Sequence, residues 1–109
     1  MEVFFEDSYL GQMWESDGEL RRKFGAERAK KLRIRRSALR AAETLEDLRQ
    51  APGRSHELTG NYAGLLSLDL DGPYRLFFRP AEETDPRPGG GLDWTKVTSI
   101  VVTGVVDPH

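Results

Sequence analysis

Residues 66–78 read LSLDLDGPYRLFF, in which two apolar runs flank an Asp-Gly-Pro turn. A two-residue loop would mix leucines with charged side chains on one face of the hairpin. A three-residue loop pairs Leu70 with Tyr74 and separates the two kinds of side chain. One face then carries Leu66, Leu68, Leu70, Tyr74, Leu76 and Phe78. The other face carries Ser67, Asp69, Arg75 and Phe77. We therefore predict a three-residue loop, with Arg75 opposite Asp69 and pointing away from the helices.

The N-terminal half of the chain has a helical pattern. MEVFFE at 1–6 predicts a strand, after which Asp7 or Ser8 can cap a short helix that reaches Trp14. Residues 19–42 are mostly strong helix formers with one glycine and no proline, and they predict a long helix. Its apolar stripe consists of Ala29, Leu32, Leu39 and Ala42.

The C-terminal half changes to a strand pattern. TLED at 44–47 predicts one more N-cap, and Pro-Gly at 52–53 ends the helical part. Short strands are predicted within 56–60 and 97–106, in addition to the hairpin. PAEETDPRPGGGL at 80–92 predicts a flexible connection. The expected fold class is α+β.

Composition limits the possible functions. A chain of 109 residues with 31% charged residues is one domain, and it has no cysteine and only two histidines. This excludes disulfide scaffolds and thiol catalysis and argues against a metal centre. We expect neither a metal nor a cofactor. The chain has no 18-residue apolar run and does not begin like a signal peptide, so we expect a cytoplasmic protein without a membrane span.

The net charge of −2 hides a strongly basic segment. Residues 21–40 hold ten Lys/Arg and one Glu, a net charge of +9. Such a segment can bind a polyanion on one face of the molecule. The residues that we nominate for nucleic-acid contact are Arg28, Lys31, Arg35 and Arg36.

Four polar residues attract attention as candidates for catalysis. Asp107 and His109 are two residues apart, so an extended backbone projects both to one side. A histidine beside a carboxylate suits general acid–base chemistry near neutral pH. Arg75 on a sheet face can clamp a phosphate. With His56, these groups could cleave RNA through its 2′-OH.

Each of these residues also has a purely structural interpretation. His56 can be a solvated loop residue, and Arg75 with Asp69 can be a surface ion pair of little energetic value. A terminal histidine often frays, and a basic helix face is usually only solvated.

Three segments in order resemble the RelE/HigB toxin superfamily, and its HigB-like proteic killer branch most of all. They are PGRSHELTG at 52–60, SLDLDGPYRLFF at 67–78 and DWTKVTSIVVTGVVDPH at 93–109. The resemblance covers nearly the whole chain. It implies a single toxin domain over 1–109, with a small antiparallel-dominated sheet, an N-terminal strand and two helices packed on one face.

The resemblance also implies a function. The chain would be the toxin of a type II toxin–antitoxin system, a ribosome-dependent mRNA endoribonuclease that stops growth and is neutralised by a HigA-like helix-turn-helix antitoxin. The catalytic residues implied are His56, Arg75, Asp107 and His109, acting without a metal.

Two alternatives remain open. The chain could be a gyrase inhibitor of the ParE type, although that branch needs neither His56 nor the Asp-x-His ending. It could also be a catalytically degenerate protein that only binds its antitoxin. Pro108 stands where relatives usually place tyrosine, and Thr59 stands where many place lysine, which supports the second alternative.

Overall fold

Five strands form one sheet, in the spatial order β1-β5-β4-β3-β2, in a computed structural model that describes residues 1–108. The strands are β1 (Glu2–Phe5), β2 (His56–Glu57), β3 (Leu66–Asp69), β4 (Arg75–Pro80) and β5 (Ser99–Val106). β1 runs parallel to β5, and every other neighbouring pair is antiparallel. The predicted α+β class, with an antiparallel-dominated sheet and an N-terminal strand, is confirmed.

Three α-helices precede the hairpin: α1 (Ser8–Trp14), α2 (Asp17–Phe24) and α3 (Ala26–Ala41). Asp7 caps α1 as predicted, since its side chain accepts from the Tyr9 amide. The prediction of one helix over 19–42 is wrong, because Gly25 takes a φ of 85° and separates α2 from α3. Within residues 1–108, no helix has the length and apolar character that a membrane span requires.

The core lies between the helices and one face of the sheet, which we call the inner face. All four residues of the predicted α3 stripe are buried. They pack in one cluster with buried inner-face residues of the sheet: Leu66, Leu68, Leu76, Phe78, Ile100 and Val102. Burial of each of these larger side chains contributes about 2 kcal/mol. The opposite face of the sheet, which we call the outer face, points away from the helices.

The hairpin has the predicted register. Leu68 pairs with Leu76 and Asp69 with Arg75, and the Leu70 amide donates to the Tyr74 carbonyl over 3.0 Å. The turn therefore contains the three residues 71–73, and Arg75 lies on the outer face opposite Asp69.

A bulge brings the end of β5 beside Arg75. Phe77 pairs with Gly104 but the next residue, Phe78, pairs with Val102, so Thr103 is the extra residue. Its hydroxyl donates to the Phe77 carbonyl over 3.2 Å. After the bulge, Val106 pairs with Arg75. The C-terminal end of the chain therefore leaves the sheet next to the hairpin turn.

Candidate active site on the outer sheet face

Arg75 is held in a fixed position at the start of β4. Its Nε lies 2.9 Å from Asp69 Oδ1. Its Nη1 donates to the carbonyls of Gly72 and Tyr74 over 3.0 and 2.8 Å. Among residues 1–108, Nη2 has no hydrogen-bond partner. Arg75 is thus oriented by the protein, and one of its two amino groups is not used in these contacts.

Asp69 is the centre of an arginine cluster, in which Arg54 and Arg75 contact its carboxylate and Arg35 contacts its backbone carbonyl. Arg54 Nε donates to Asp69 Oδ2 over 2.5 Å. Arg35 Nε donates to the Asp69 backbone carbonyl over 2.7 Å. Asp69 Oδ1 is fully buried and has no aligned hydrogen bond within residues 1–108, although Arg75 Nε is close. Its contact with Arg75 is therefore an ion pair rather than a hydrogen bond.

His56 lies on the edge strand β2 and is exposed. It pairs with Ser67, which pairs with Phe77, and directly opposed residues share a face. His56 therefore lies on the outer face, as Arg75 does. The register places the two Cα atoms two strands and two residues apart, about 12 Å. The structure brings these residues to one surface but not into contact.

An aromatic pair covers the middle of this surface. Phe77 is 3% exposed, and Tyr62 packs edge-on against it with ring centroids 5.2 Å apart. Tyr62 itself is 38% exposed. Sequence reasoning missed both Tyr62 and Arg54. Both residues lie in sequence close to His56, a proposed catalytic residue, and this proximity is the signal that could have identified them.

The C-terminal candidates are only partly described. Asp107 is exposed and directly follows Val106, the partner of Arg75 in the sheet. His109 lies outside the described residues. The predicted convergence of two imidazoles on Arg75 therefore stays a prediction.

Three of the four residues nominated for nucleic-acid contact are used inside the protein. Arg28 pairs with Asp71, with Nε 2.9 Å from Oδ1, and its Cζ lies 3.3 Å from the centre of the Tyr74 ring. Arg36 donates to the Trp14 carbonyl and to Asp17. Both guanidiniums are thereby partly neutralised or covered.

Arg35 is buried, with 6% of its surface exposed, so its expected role as a surface contact is wrong. It lies three residues after Leu32 and four before Leu39, within the face that packs on the sheet. There it donates to the carbonyls of Asp69 and Pro52. Burial lowers the pKa of its guanidinium, and the Asp69 carboxylate opposes that shift. Arginine stays charged at neutral pH even so.

The remaining positive charge lies elsewhere on the helices. Lys31 makes no ion pair within residues 1–108, and the same holds for Arg21, Lys30 and Arg33. Arg21 and Arg33 line one surface depression. Arg21 and Lys30 are exposed and Arg33 is half-buried, and we call the three together the exposed basic surface. In the part of the chain that the structure describes, no group of three or more His, Cys, Asp or Glu residues could hold a metal ion.

A family model described as a RelE-like toxin of type II toxin-antitoxin system HigB matches residues 3–85. The chain belongs to the HigB-like toxin family. The match includes His56, Arg54 and Arg75 and ends before β5, so it does not reach Asp107. No curated protein matches the sequence significantly. As a member of a type II family, the HigB-like toxin has an antitoxin as its partner.

Proposed function

We propose that this HigB-like toxin is an endoribonuclease that cleaves mRNA on the ribosome, in the cytoplasm, without a metal. The observation that carries the proposal is the placement of His56 and Arg75 on one outer sheet face of a HigB-like toxin. Its antitoxin would be a HigA-like helix-turn-helix protein that binds the toxin and stops cleavage.

The chemistry needs a base, an acid and a cation. One imidazole, of His56 or His109, removes the proton of the 2′-OH, whose oxygen attacks the adjacent phosphorus. The P–O5′ bond breaks, and a second group gives the departing 5′-oxygen a proton. The products are a 2′,3′-cyclic phosphate and a 5′-hydroxyl. Asp107 orients the imidazole of His109, and Arg75 stabilises the charge that develops on the phosphorane.

Contact with ribosomal RNA would come from the unpaired cations of the helices. Lys31 and the exposed basic surface have no internal counter-charge among residues 1–108, so their charge is available for phosphates. Arg28 and Arg36 could contribute only through the part of each guanidinium that their internal partners leave accessible. Such binding weakens as salt rises.

The proposal is tested by expressing the toxin without its antitoxin. We expect growth arrest, and we expect His56→Ala, Arg75→Ala and His109→Ala to relieve it. Arg87→Ala removes an exposed arginine of the 80–92 loop and serves as the control. Purified toxin should cleave reporter mRNA on programmed ribosomes and leave the 2′,3′-cyclic phosphate that attack by the 2′-OH produces. Equal toxicity of all three site variants and the wild type would defeat the site assignment.

The contact between Asp69 and Arg75 favours a second candidate, a non-catalytic toxin-like protein that binds the antitoxin. In this case the internal carboxylate of Asp69 neutralises Arg75, so that Arg75 does not bind a phosphate. Intact reporter mRNA together with normal antitoxin binding would support it. A supercoiling assay separates both candidates from a gyrase inhibitor.

A further inference from the structure

We propose that Arg54 and Arg75 together bind one backbone phosphate of the RNA, a role that sequence reasoning does not assign to Arg54. The inference rests on the proposed function in taking RNA as the substrate. It adds a second phosphate-binding residue and places the phosphate at the arginine cluster, beside the hairpin turn.

The charge of the arginine cluster calls for an external anion. Arg54 and Arg75 contact the carboxylate of Asp69, and Arg35 donates to its backbone carbonyl, so the three guanidiniums and one carboxylate have a net charge of +2. Arg35 is buried beneath the sheet. The side chain of Arg54 is 77% exposed and that of Arg75 is 19% exposed. On the outer face, Arg54 and Arg75 together exceed the charge of Asp69 by one positive charge, which a polyanion can reach.

The hydrogen-bond donors of the two exposed arginines are only partly used. Arg54 spends its Nε on Asp69, and both of its Nη groups lack partners within residues 1–108. Arg75 keeps Nη2. Both arginines contact the two oxygens of the same carboxylate through Nε, so their guanidiniums lie side by side, and we place one phosphate between the amino groups that they leave unused. Arginine suits this geometry because its donors form a rigid fork.

The backbone at Arg54 has a left-handed conformation that L residues rarely adopt. Arg54 has a φ of 48°, and within residues 1–108 no other non-glycine residue has a positive φ. This conformation costs about 1 kcal/mol for an L residue. Gly53 before it has a φ of 118°, and a Cβ there would lie 2.9 Å from Arg35 Nε. Strained positions of this kind concentrate at functional sites.

The cluster is also adjacent to the proposed acid–base residue. Arg54 precedes His56 by two residues, in the loop that leads directly into β2, and His56 is the first residue of that strand. The Asp69 amide donates to the Gly53 carbonyl over 2.7 Å, which ties this loop to β3. A phosphate bound by Arg54 and Arg75 would therefore lie on the same face as the imidazole of His56.

The test measures binding of a 2′-O-methyl RNA oligonucleotide, which the toxin cannot cleave, by fluorescence anisotropy at several salt concentrations. We expect Arg54→Gly to weaken binding about tenfold and to lower the slope of affinity against salt by about one unit. Arg54→Lys should keep the slope and lose part of the affinity. Arg87→Gly removes the same charge from another exposed loop and should bind like the wild type.

Thermal unfolding separates this effect from a folding defect. Arg54→Gly relieves the positive φ but removes the donor to Asp69 Oδ2, so the variant must be fully folded at the temperature of the binding measurement while it binds RNA less well. Unchanged affinity and salt slope in Arg54→Gly, an equal loss in Arg87→Gly, or no RNA binding by the wild type would each overturn the inference.

The result is distinguishable from failure of the proposed function. Binding that depends on Arg54, combined with no mRNA cleavage by the wild type, would support the phosphate site and contradict the nuclease. Cleavage that needs His56 but is unchanged in Arg54→Gly would support the nuclease and contradict the phosphate site.

Discussion

Asp69 and Arg75 face each other across β3 and β4, and Arg75 Nε lies 2.9 Å from the buried Oδ1 of Asp69. The side chains of this pair are 15% and 19% exposed. The arginine proposed to bind phosphate is therefore also the close partner of a buried carboxylate oxygen. Its substitution must affect both folding and function.

Arg75→Ala should lower the free energy of unfolding by about 1–3 kcal/mol, because it leaves Asp69 Oδ1 buried without its counter-charge. Urea denaturation measures the loss. Arg79→Ala is the control, since Arg79 lies on the same strand and, within residues 1–108, its side chain donates only to the Pro80 carbonyl over 3.4 Å. Equal losses in the two variants would show that the Asp69 contact contributes little. Any loss of toxicity must be compared at equal amounts of folded protein.

Arg35→Met should destabilise the protein by about 3 kcal/mol, because two partly buried carbonyl groups lose their donor. The affected carbonyls are those of Asp69 and Pro52. Lys31→Met changes a nearby basic residue that has no ion pair within residues 1–108, and we expect a change within about 0.5 kcal/mol. Thermal unfolding of the two variants compares them, and similar melting temperatures would contradict the buried role of Arg35.

Gly53→Ala should cost about 2–3 kcal/mol, since the new Cβ meets Arg35 Nε and the backbone stays at a φ of 118°. Gly60→Ala is the matched control. Gly60 also has a positive φ, 62°, but nothing lies within 4 Å of a Cβ there, so the expected cost is about 1 kcal/mol. Chemical denaturation gives both values. If the two costs agree, close packing against Arg35 does not constrain this turn.

Asp93→Asn should change how stability depends on pH. The Thr95 hydroxyl, and to a smaller extent its amide, donates to Asp93 and lowers the pKa of the carboxyl, while burial opposes the shift. A carboxyl whose pKa is lowered on folding stabilises the protein above its unfolded value of about 3.9. That stability disappears as the pH falls through the folded value.

Urea midpoints across a pH series therefore separate wild type from Asp93→Asn most at neutral pH and bring them together in acid. Thr95→Val removes the hydroxyl and should reduce the same pH dependence. A difference between wild type and Asp93→Asn that is constant with pH would contradict the role of this carboxylate.

In helix α3, the sequence predicts which apolar residues are buried but does not predict the burial of Arg35. The apolar stripe from Ala29 to Ala42 was predicted, and its residues are buried. Arg35 lies in the same face, but a pattern of residue types predicts an exposed arginine there. Its burial depends on carbonyl groups that β3 and the loop before β2 supply, and those partners are 34 and 17 residues away in the chain.

The hairpin faces, the N-terminal strand, the α1 cap and the family motifs could all be determined from the sequence alone. The physical reason is that alternation, capping and turn chemistry act between residues close together in the chain. Only the tertiary structure decided which charges are free. Ion pairs and burial join residues far apart, so Arg28, Arg35 and Arg36 became internal contacts, while Arg54 joined Asp69 and Arg75 on the outer face.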